Sequence, residues 1–300
     1  MIETRRARVT DAAAIVELGR VVDPNQLSTP ETVRTLLERE TPPATERLVV
    51  ERGGEVVCWA PSGMYESGVG WFWIGVLPEH RRRGIGGSMY ARIEERLTAE
   101  RADRIETTPN DEEGRVFLRN RSFEVATTVR VSRLDPRAVS ADARRPEGCV
   151  VVALRDAVRD ADALFGLYSE GRGDVPSRSE RAKWTFAEWR AETVDNPLLD
   201  LDASVVVLEN GVPVSLAWIY SDRDGHRGET LMAATRRDRR GLGLATLAKI
   251  ESTRRAAELG ITSLLTANDL DNVAMLAINR RLGFEPTVVV ESFAKPLHAT

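Results

Sequence analysis

Two short runs carry the chemistry most easily read in this 300-residue chain. The first is Arg81-Arg82-Arg83-Gly84-Ile85-Gly86-Gly87, and the second is Arg240-Gly241-Leu242-Gly243-Leu244-Ala245-Thr246. Both fit Arg-x-x-Gly-x-(Gly/Ala), follow an apolar stretch and open an amphipathic helical pattern. The chemistry they suit is capture of a pyrophosphate. The first turn of a helix leaves backbone N–H groups without intrahelical partners, at the positive end of the dipole. Small residues let that backbone approach an anion closely, and the arginines add positive field. A single turn of this kind can simply join a strand to a helix. Two in matching contexts, with Arg81 and Arg240 159 positions apart, point to a shared task. Other phosphate motifs fit worse. No Gly-Lys-Ser/Thr follows either turn, and Met89 and Thr246 stand where Gly-x-Gly-x-x-Gly requires its last glycine.

The elements that must position these turns recur in the same order in each half. In the first, residues 2–9 read as a strand, and Asp11 stands before helical residues Ile15, Val16 and Leu18. Thr29-Pro30-Glu31 starts a second helix, with Ser28 or Thr29 at the N-cap and Pro30 at the first helical position. Gly53-Gly54 turns a hairpin between 48–52 and 55–59, and an apolar run covers 69–77. Then come the turn, a helix over 85–101, a strand at 104–108, a helix at 112–121 and a strand from Phe123. The second half gives a strand at 150–154, helices at 157–168 and 177–194, and a hairpin of 201–208 and 212–219 about Asn210-Gly211. A strand at 229–235, the second turn, a helix to Leu259, a strand at 263–266, a helix over 272–282 and a last strand follow. The repetition argues for internal duplication. We expect domains at 1–134 and 149–300 joined by a Pro-, Arg- and Ala-rich linker at 135–148.

Composition sets the outer limits. The length suits two domains and the 42% hydrophobic content gives each its own core. The net charge of −4 counts against a generic nucleic-acid partner. No apolar stretch reaches eighteen residues and the N-terminus shows no secretory pattern, so we expect neither a membrane partner nor export. Cys58 and Cys149, with the scattered His80, His226 and His298, offer neither a disulfide framework nor a metal site. A reducing cytoplasm is the expected location, and the arginine-over-lysine bias fits a GC-rich bacterial genome.

The sequence resembles the GCN5-related N-acetyltransferase (GNAT) family over most of both halves. The resemblance rests on Val76-Leu77-Pro78-Glu79-His80 leading into the first turn. It rests also on the second turn and on an Asn-x-x-x-Asn-x-x-Met-x-x-x-Asn-x-x-Leu-Gly-Phe run formed by Asn268, Asn272, Met275, Asn279, Leu282, Gly283 and Phe284. Asn110 and Ser122-Phe123 are a weaker counterpart in the first half. The resemblance implies an α/β (α+β) fold of two GNAT-like domains. Each would be a mixed, mostly antiparallel twisted sheet flanked by helices, with an acyl-CoA slot between splayed central strands. It implies acetyl-CoA as cofactor. Its pyrophosphate would lie on the backbone at Arg82, Arg83, Gly84, Ile85, Gly86 and Gly87, and at Gly241, Leu242, Gly243, Leu244, Ala245 and Thr246, beside Arg81 and Arg240. The strand residues Ile74 and Val76, and Ala233, Ala234 and Thr235, would pair with the pantetheine arm. Asn268, Asn272 and, in the first half, Asn110 would bond the cofactor near the slot. Helix capping and surface polarity are the alternatives for Asn272 and Asn279.

Acetylation of an amine needs the neutral amine, about one part in a thousand of an alkylamine at pH 7, so a base helps. Relatives use a strand carboxylate. Glu229 is the first candidate, with Asp222 and His226 behind it, and a solvated strand-end charge is its bland alternative. The first half offers Trp71-Phe72-Trp73 on that strand, with Glu66 well before it. Many relatives protonate the leaving thiolate with a tyrosine four residues before the glycine of Gly-Phe. Leu118 and Asn279 stand there, which leaves Asn279 as a hydrogen-bond donor and Tyr220 or water as the acid. Trp184, Trp189, Trp218 and Tyr220 could line an acceptor pocket, though core is the commoner place for such residues. Asp174, Glu180 and Glu188 could attract a cationic amine or be a solvated face. The reading is an acetyl-CoA-dependent N-acetyltransferase acting on a small-molecule primary amine, as monomer or homodimer. Its C-terminal half would be catalytic and its N-terminal half degenerate. The alternative is a non-catalytic acyl-CoA-binding or regulatory protein.

Overall fold

The computed structural model describes residues 2–39, 45–65, 68–140, 142–175 and 184–297. Glu66, Glu180, His298 and residues 177–183 of the expected 177–194 helix lie outside them. By contacts the chain divides into two compact units. Unit 1 is Met1–Thr128 with Glu291–Thr300, and unit 2 is Val129–Val290.

Unit 1 runs β1 (Ile2–Arg6), α1 (Ala12–Val22), α2 (Pro30–Glu38), β2 (Glu46–Arg52), β3 (Glu55–Met64), β4 (Val69–Phe72), β5 (Gly75–Val76), α3 (Ile85–Ala99), β6 (Arg104–Thr107) and α4 (Glu112–Arg119), then enters β7 (Glu124–Leu134). The local signals act as expected: Thr29 accepts a hydrogen bond from Thr32 N with Pro30 at the first helical position. Leu48, Val50, Val57, Cys58, Phe72, Tyr90, Ile93, Leu97, Ile105 and Phe123 form the core between sheet and α3. The expected apolar run 69–77 is two strands. β4 pairs in parallel with β6 over Val69↔Arg104, Gly70↔Ile105 and Trp71↔Glu106. After Trp73 and Ile74 the chain leaves β6, and β5 pairs with β3, through Cys58↔Val76 and Trp59↔Gly75. Beyond Trp71 the two strands diverge and a slot opens.

Unit 2 runs β8 (Cys149–Ala153), α5 (Leu154–Ala157), α6 (Ala161–Gly173), α7 (Phe186–Glu192), β9 (Val205–Glu209), β10 (Val212–Asp222), β11 (Arg227–Thr235), α8 (Leu244–Glu258), β12 (Ser263–Asp269), α9 (Val273–Leu282) and β13 (Glu285–Pro296). Asn210 and Gly211 turn the β9–β10 hairpin with φ of 50° and 83°. The parallel pair is β11 with β12, again over three rungs: Arg227↔Ser263, Gly228↔Leu264 and Glu229↔Leu265. β11 then follows β10 as far as Ser215↔Thr235, whereas β12 pairs with β7.

The division departs from the expected boundaries in two ways. β12 of unit 2 is flanked by Val129 to Leu134, from Asp269↔Val129 to Leu264↔Leu134. β6 of unit 1 is flanked by the end of the last strand, from Phe293↔Thr107 to Pro296↔Arg104, and Phe293 is fully buried in the unit 1 core. The contacts thus count 291–300 with the first half and 129–148 with the second. Nor are the described residues of 135–148 a loose tether. Pro136–Ala138 is a short 3-10 turn, Pro136 is buried, and Val139 and Ala143 pack on the unit 2 core. The described part of the expected 177–194 helix is helical only over α7. Thr185 caps it, with Glu188 returning to the Thr185 N–H.

Candidate functional site

Each turn is built from the same parts. A short 3-10 segment, Pro78–His80 or Arg237–Arg239, leads into the arginine. Nε of Arg81 donates to the Val76 carbonyl at 3.1 Å, and Nε of Arg240 donates to the Thr235 carbonyl at 3.1 Å. The arginine therefore staples the turn to the end of its strand. Gly84 and Gly243 cap the fifteen-residue helices α3 and α8 with φ of 82° and 79°. An L side chain rarely adopts this left-handed conformation, and neither helix has a side-chain cap at its N-terminus. Across the caps, Ser88 N donates to Gly84 O and Leu247 N to Gly243 O. The N–H groups of Ile85, Gly86 and Gly87, and of Leu244, Ala245 and Thr246, point out of the helix start. Atoms added as Cβ at Gly84, Gly241 or Gly243 would meet nothing within 4 Å, so the concave side of each turn has room for an anion. This is the fit a pyrophosphate needs.

Four arginines of the turns and their 3-10 leads, Arg81, Arg82, Arg237 and Arg240, are already engaged. In unit 1, Arg81 Nη1 bonds Asp111 at 2.7 Å, and Arg82 bonds Glu113 at 3.0 Å. Asp111 also caps α4 by accepting from Gly114 N. In unit 2 the partners come from α6 and the residue after it. Arg237 and Arg240 both bond Asp174, and Arg237 N donates to Glu170. Hydrogen bonds from Arg237 and Arg240 hold the Asp174 carboxyl down to about 2. Asp174, a possible attractor of a cationic acceptor, is thus committed to the turn. Glu188 is committed to the α7 cap.

Unit 1 contains a cleft of about 420 Å³. It is walled on one side by Phe72, Ile74 and Val76, on the other by Thr107, Thr108, Pro109 and Asn110, and floored by Gly84 to Gly87 with Phe117, Leu118 and Arg121 of the α4 region. The Trp73 indole N–H donates to Asn110 Oδ1 at 2.7 Å, and Asn110 Nδ2 donates to the Ile74 carbonyl at 3.3 Å. Asn110 therefore bridges the slot mouth. The Trp73 ring lies where a Cβ on Gly75 would stand, 2.2 Å away, so only glycine admits it there. The carboxylates lining the cleft are Asp111 and Glu113, both already paired with arginine. Glu106, on the last rung, bonds Arg104 instead. Ile74, Val76, Arg81, Arg82, Gly84, Ile85, Gly86, Gly87 and Asn110 are thus gathered in one cleft; Arg83 is exposed beside it.

In unit 2, Glu229 sits on the last parallel rung before β11 and β12 part, paired across the sheet with Tyr220. Tyr220 packs against a cluster that includes Tyr168 of α6, Trp184, Trp189 of α7 and Trp218 of β10. The two fallback bases are engaged in loop structure. Asp222 is buried and accepts from Gly225 N and Arg227, and His226 Nδ1 lies 2.9 Å from the Gly260 carbonyl. Trp189 and Trp218 are fully buried and belong to the core. Tyr220 donates its hydroxyl to the Glu192 carbonyl at 2.9 Å, and burial pushes the phenol above its usual range, away from what a proton donor needs. Asn279 is 3% exposed and donates to Asn268 Oδ1 at 2.6 Å, so it holds Asn268 from below. Asn272 caps α9 by accepting from Met275 N.

Sequence reasoning missed Asp111, Glu113 and Glu170 as carboxylate partners of the turns and gave Asp174 a different task. It also missed two residues visible by laying the halves together. Tyr90 and Lys249 are the sixth residues of α3 and α8. Tyr90 donates to Glu94 at 2.7 Å. Lys249 is 2% exposed, its Nζ has no hydrogen-bond partner among the described residues, and it sits 5.1 Å from the Phe284 ring centroid. Burial pushes its ammonium down to about 7.

Among the described residues no group of histidine, cysteine and carboxylate side chains is placed to hold a metal, and no helix is long and apolar enough to cross a membrane. No curated protein matches the sequence significantly. Solved structures do match in fold. A tandem GNAT protein from the clavulanic acid biosynthesis pathway gives a TM-score of 0.77 at 19% identity, covering 100% of both chains. A GCN5-related N-acetyltransferase from Sphaerobacter thermophilus gives 0.73 at 16% identity, over 99% of this chain and 96% of that one. The Saccharomyces cerevisiae N-myristoyltransferase with bound myristoyl-CoA gives 0.64 at 11% identity, over 100% and 80%. The sequence profile of the acetyltransferase (GNAT) family matches residues 16–123 and again residues 162–284. With the two turns, the two diverging parallel pairs and two profile matches that together span most of its length, the chain belongs to the acetyltransferase (GNAT) family of acyl-CoA-dependent acyltransferases.

Proposed function

We propose that this acyltransferase moves an acetyl group from acetyl-CoA to the primary amine of a small-molecule acceptor, with the reaction in unit 2. The observation that carries this reading is the place of Glu229, on the last rung before the strands diverge and across from Tyr220. In unit 1 that rung holds Trp71 and the arginine-bound Glu106. The cofactor supplies an activated acyl group as a thioester. The residues of unit 2 then have three tasks. Leu244, Ala245 and Thr246 hold the pyrophosphate by their N–H groups, and β11 beyond Glu229, where its pairing with β12 ends, takes the pantetheine arm at Ala233, Ala234 and Thr235. Glu229 takes a proton from the amine, directly or through water. Keeping an amine neutral at pH 7 costs about 4–5 kcal/mol for an ordinary alkylamine, and a positioned base recovers part of this, typically 10²–10⁴-fold in rate.

The leaving group needs less help. A simple thiol titrates near 8.5, so its departure as thiolate at pH 7 costs only about 2 kcal/mol relative to the thiol. This fits a site where the Tyr220 hydroxyl is given to the Glu192 carbonyl and an Asn279 amide hydrogen to Asn268, and water protonates the thiolate.

A second reading applies to unit 1 alone: it binds acyl-CoA without turnover. The cleft favours this, because Leu118 fills the position of the missing tyrosine and both lining carboxylates are paired with arginine. Assay of amine-dependent CoA release with a panel of amines tests the catalytic reading. Release that disappears in Glu229→Gln supports it. No release with any amine would leave acyl-CoA binding as the whole activity.

A further inference from the structure

The unit 1 cleft has one cation that its carboxylates do not neutralise. Arg81 and Arg82 are tied to Asp111 and Glu113. Arg121 also lines the cleft, but among the described residues no carboxylate comes within ion-pair distance of it. Its Nη1 donates to the Phe117 carbonyl at 3.1 Å, and its guanidinium lies over the Phe117 ring, 3.6 Å from the centroid. Stacking of this kind fixes the plane of the fork. With Nη1 held by the Phe117 carbonyl, the Nη2 end of the fork lies by Gly87. A Cβ on that residue would stand 3.7 Å from Arg121 Nη2, so the guanidinium rests beside the first turn of α3.

The duplicate shows that this arrangement is particular to unit 1. Counting back from the phenylalanine that follows each terminal helix, Arg121 corresponds to Leu282, a buried core residue in unit 2. Gly87 corresponds to Thr246, two residues past Leu244 at the start of α8. Unit 1 therefore has a cation and an adjacent residue without a side chain where unit 2 has an apolar residue and a threonine.

We infer that Arg121 is the anion receptor of the unit 1 cleft and a specificity-determining residue for its ligand. Its fork and the N–H groups of the first α3 turn together bind an anionic oxygen pair of a CoA thioester. The inference rests on the reading of the cleft as an acyl-CoA site. Two parts of such a ligand carry that chemistry, the pyrophosphate and a carboxylate at the end of a dicarboxylic acyl group. The position beside Gly87 favours the pyrophosphate.

Calorimetric titration of the full chain carrying Gly243→Val, which removes the unit 2 turn, isolates unit 1. If this parent does not bind CoA, the acyl-CoA reading of the cleft fails and the inference falls with it. With a binding parent, Arg121→Leu should weaken CoA about tenfold or more, as expected for loss of a charge-assisted pair of hydrogen bonds. Arg121→Lys should lie between. Arg121→Gln serves the same purpose if the leucine variant does not fold. Equal losses with acetyl-CoA and succinyl-CoA, and no loss with pantetheine, identify the pyrophosphate as the bound group. A loss confined to succinyl-CoA identifies an acyl carboxylate. Binding of CoA, acetyl-CoA and succinyl-CoA within twofold of the parent by Arg121→Leu overturns the assignment.

Discussion

In unit 1 the arginine at the head of the turn is held by Asp111, at the start of the helix that follows β6; in unit 2 its counterpart is held by Asp174, just past α6. The backbone of the two turns is otherwise closely repeated, down to the 3.1 Å bonds from Arg81 and Arg240 to the preceding strand. The difference teaches how a duplicated cradle diverges. The parts that shape the backbone stay, because a helix N-terminus binds an anion by geometry that any change of φ destroys. The parts that surround it drift. Unit 1 has the open cleft, the Asn110 bridge and Arg121 stacked on Phe117. Unit 2 has Glu229 at the point of strand divergence, an aromatic shell on the same side as Tyr220, and a buried lysine.

Breaking each cradle separately gives the largest expected effect. Gly243→Val forces a β-branched residue into a conformation with φ of 79° and crowds the concave side. CoA binding at unit 2 should weaken about a hundredfold or more, since the helix-terminus donors are displaced together. Calorimetry would show one class of site lost; two unchanged classes would refute the cradle.

Glu229→Gln is the next largest. Turnover should fall about 10²–10⁴-fold with CoA affinity little changed, and the acidic limb of the pH–rate profile should flatten. A variant within threefold of the parent rate would remove Glu229 from the reaction.

Lys249 sharpens the comparison through stability. Its folded-state value of about 7 lies below the unfolded value of about 10.4. Between these pH values the unfolded chain binds the extra proton, so stability should rise with pH from about 7 to about 10. Below that window the penalty of burying the amine is constant and on the order of 4 kcal/mol. Lys249→Met removes it at similar volume and should raise the melting temperature at pH 7 by several degrees. The gain should shrink by pH 9.5. Melting curves displaced equally at both pH values would show that the amine does not titrate in this range.

The smallest effect is at Asn279. Asn279→Ala strips a 2.6 Å bond from Asn268 Oδ1, which then accepts from Thr266 alone. A loss of about 1–3 kcal/mol is expected, read in chemical denaturation. Unchanged stability would mean that the buried amide pair does not hold Asn268.

Much of this was legible in the sequence, and the reasons for the rest are specific. The turns, the start of α2 at Thr29-Pro30-Glu31, and the Asn210-Gly211 hairpin depend on local backbone preferences, which a sequence displays directly. The break between β4 and β5 was not legible, because Val69 to Val76 is apolar throughout and the departure is imposed by the neighbouring strands. The split of β7 and β13 between the units was hidden for the same reason: no local signal says which sheet a strand end will join. Asn272 was open between cofactor contact and helix capping, and its bond to Met275 N shows the cap. The engagement of Asp174 by Arg237 and Arg240 spans more than sixty positions and leaves no trace in spacing. Arg121 could have been found by aligning the halves on Phe123 and Phe284, where an arginine replaces a core leucine.

The central claim is that both units keep the cradle while chemistry belongs to unit 2. Amine-dependent CoA release by Gly84→Val and by Gly243→Val, measured side by side, tests it most directly. The account predicts that Gly243→Val abolishes release and that Gly84→Val costs far less. Release lost in Gly84→Val and retained in Gly243→Val would contradict it.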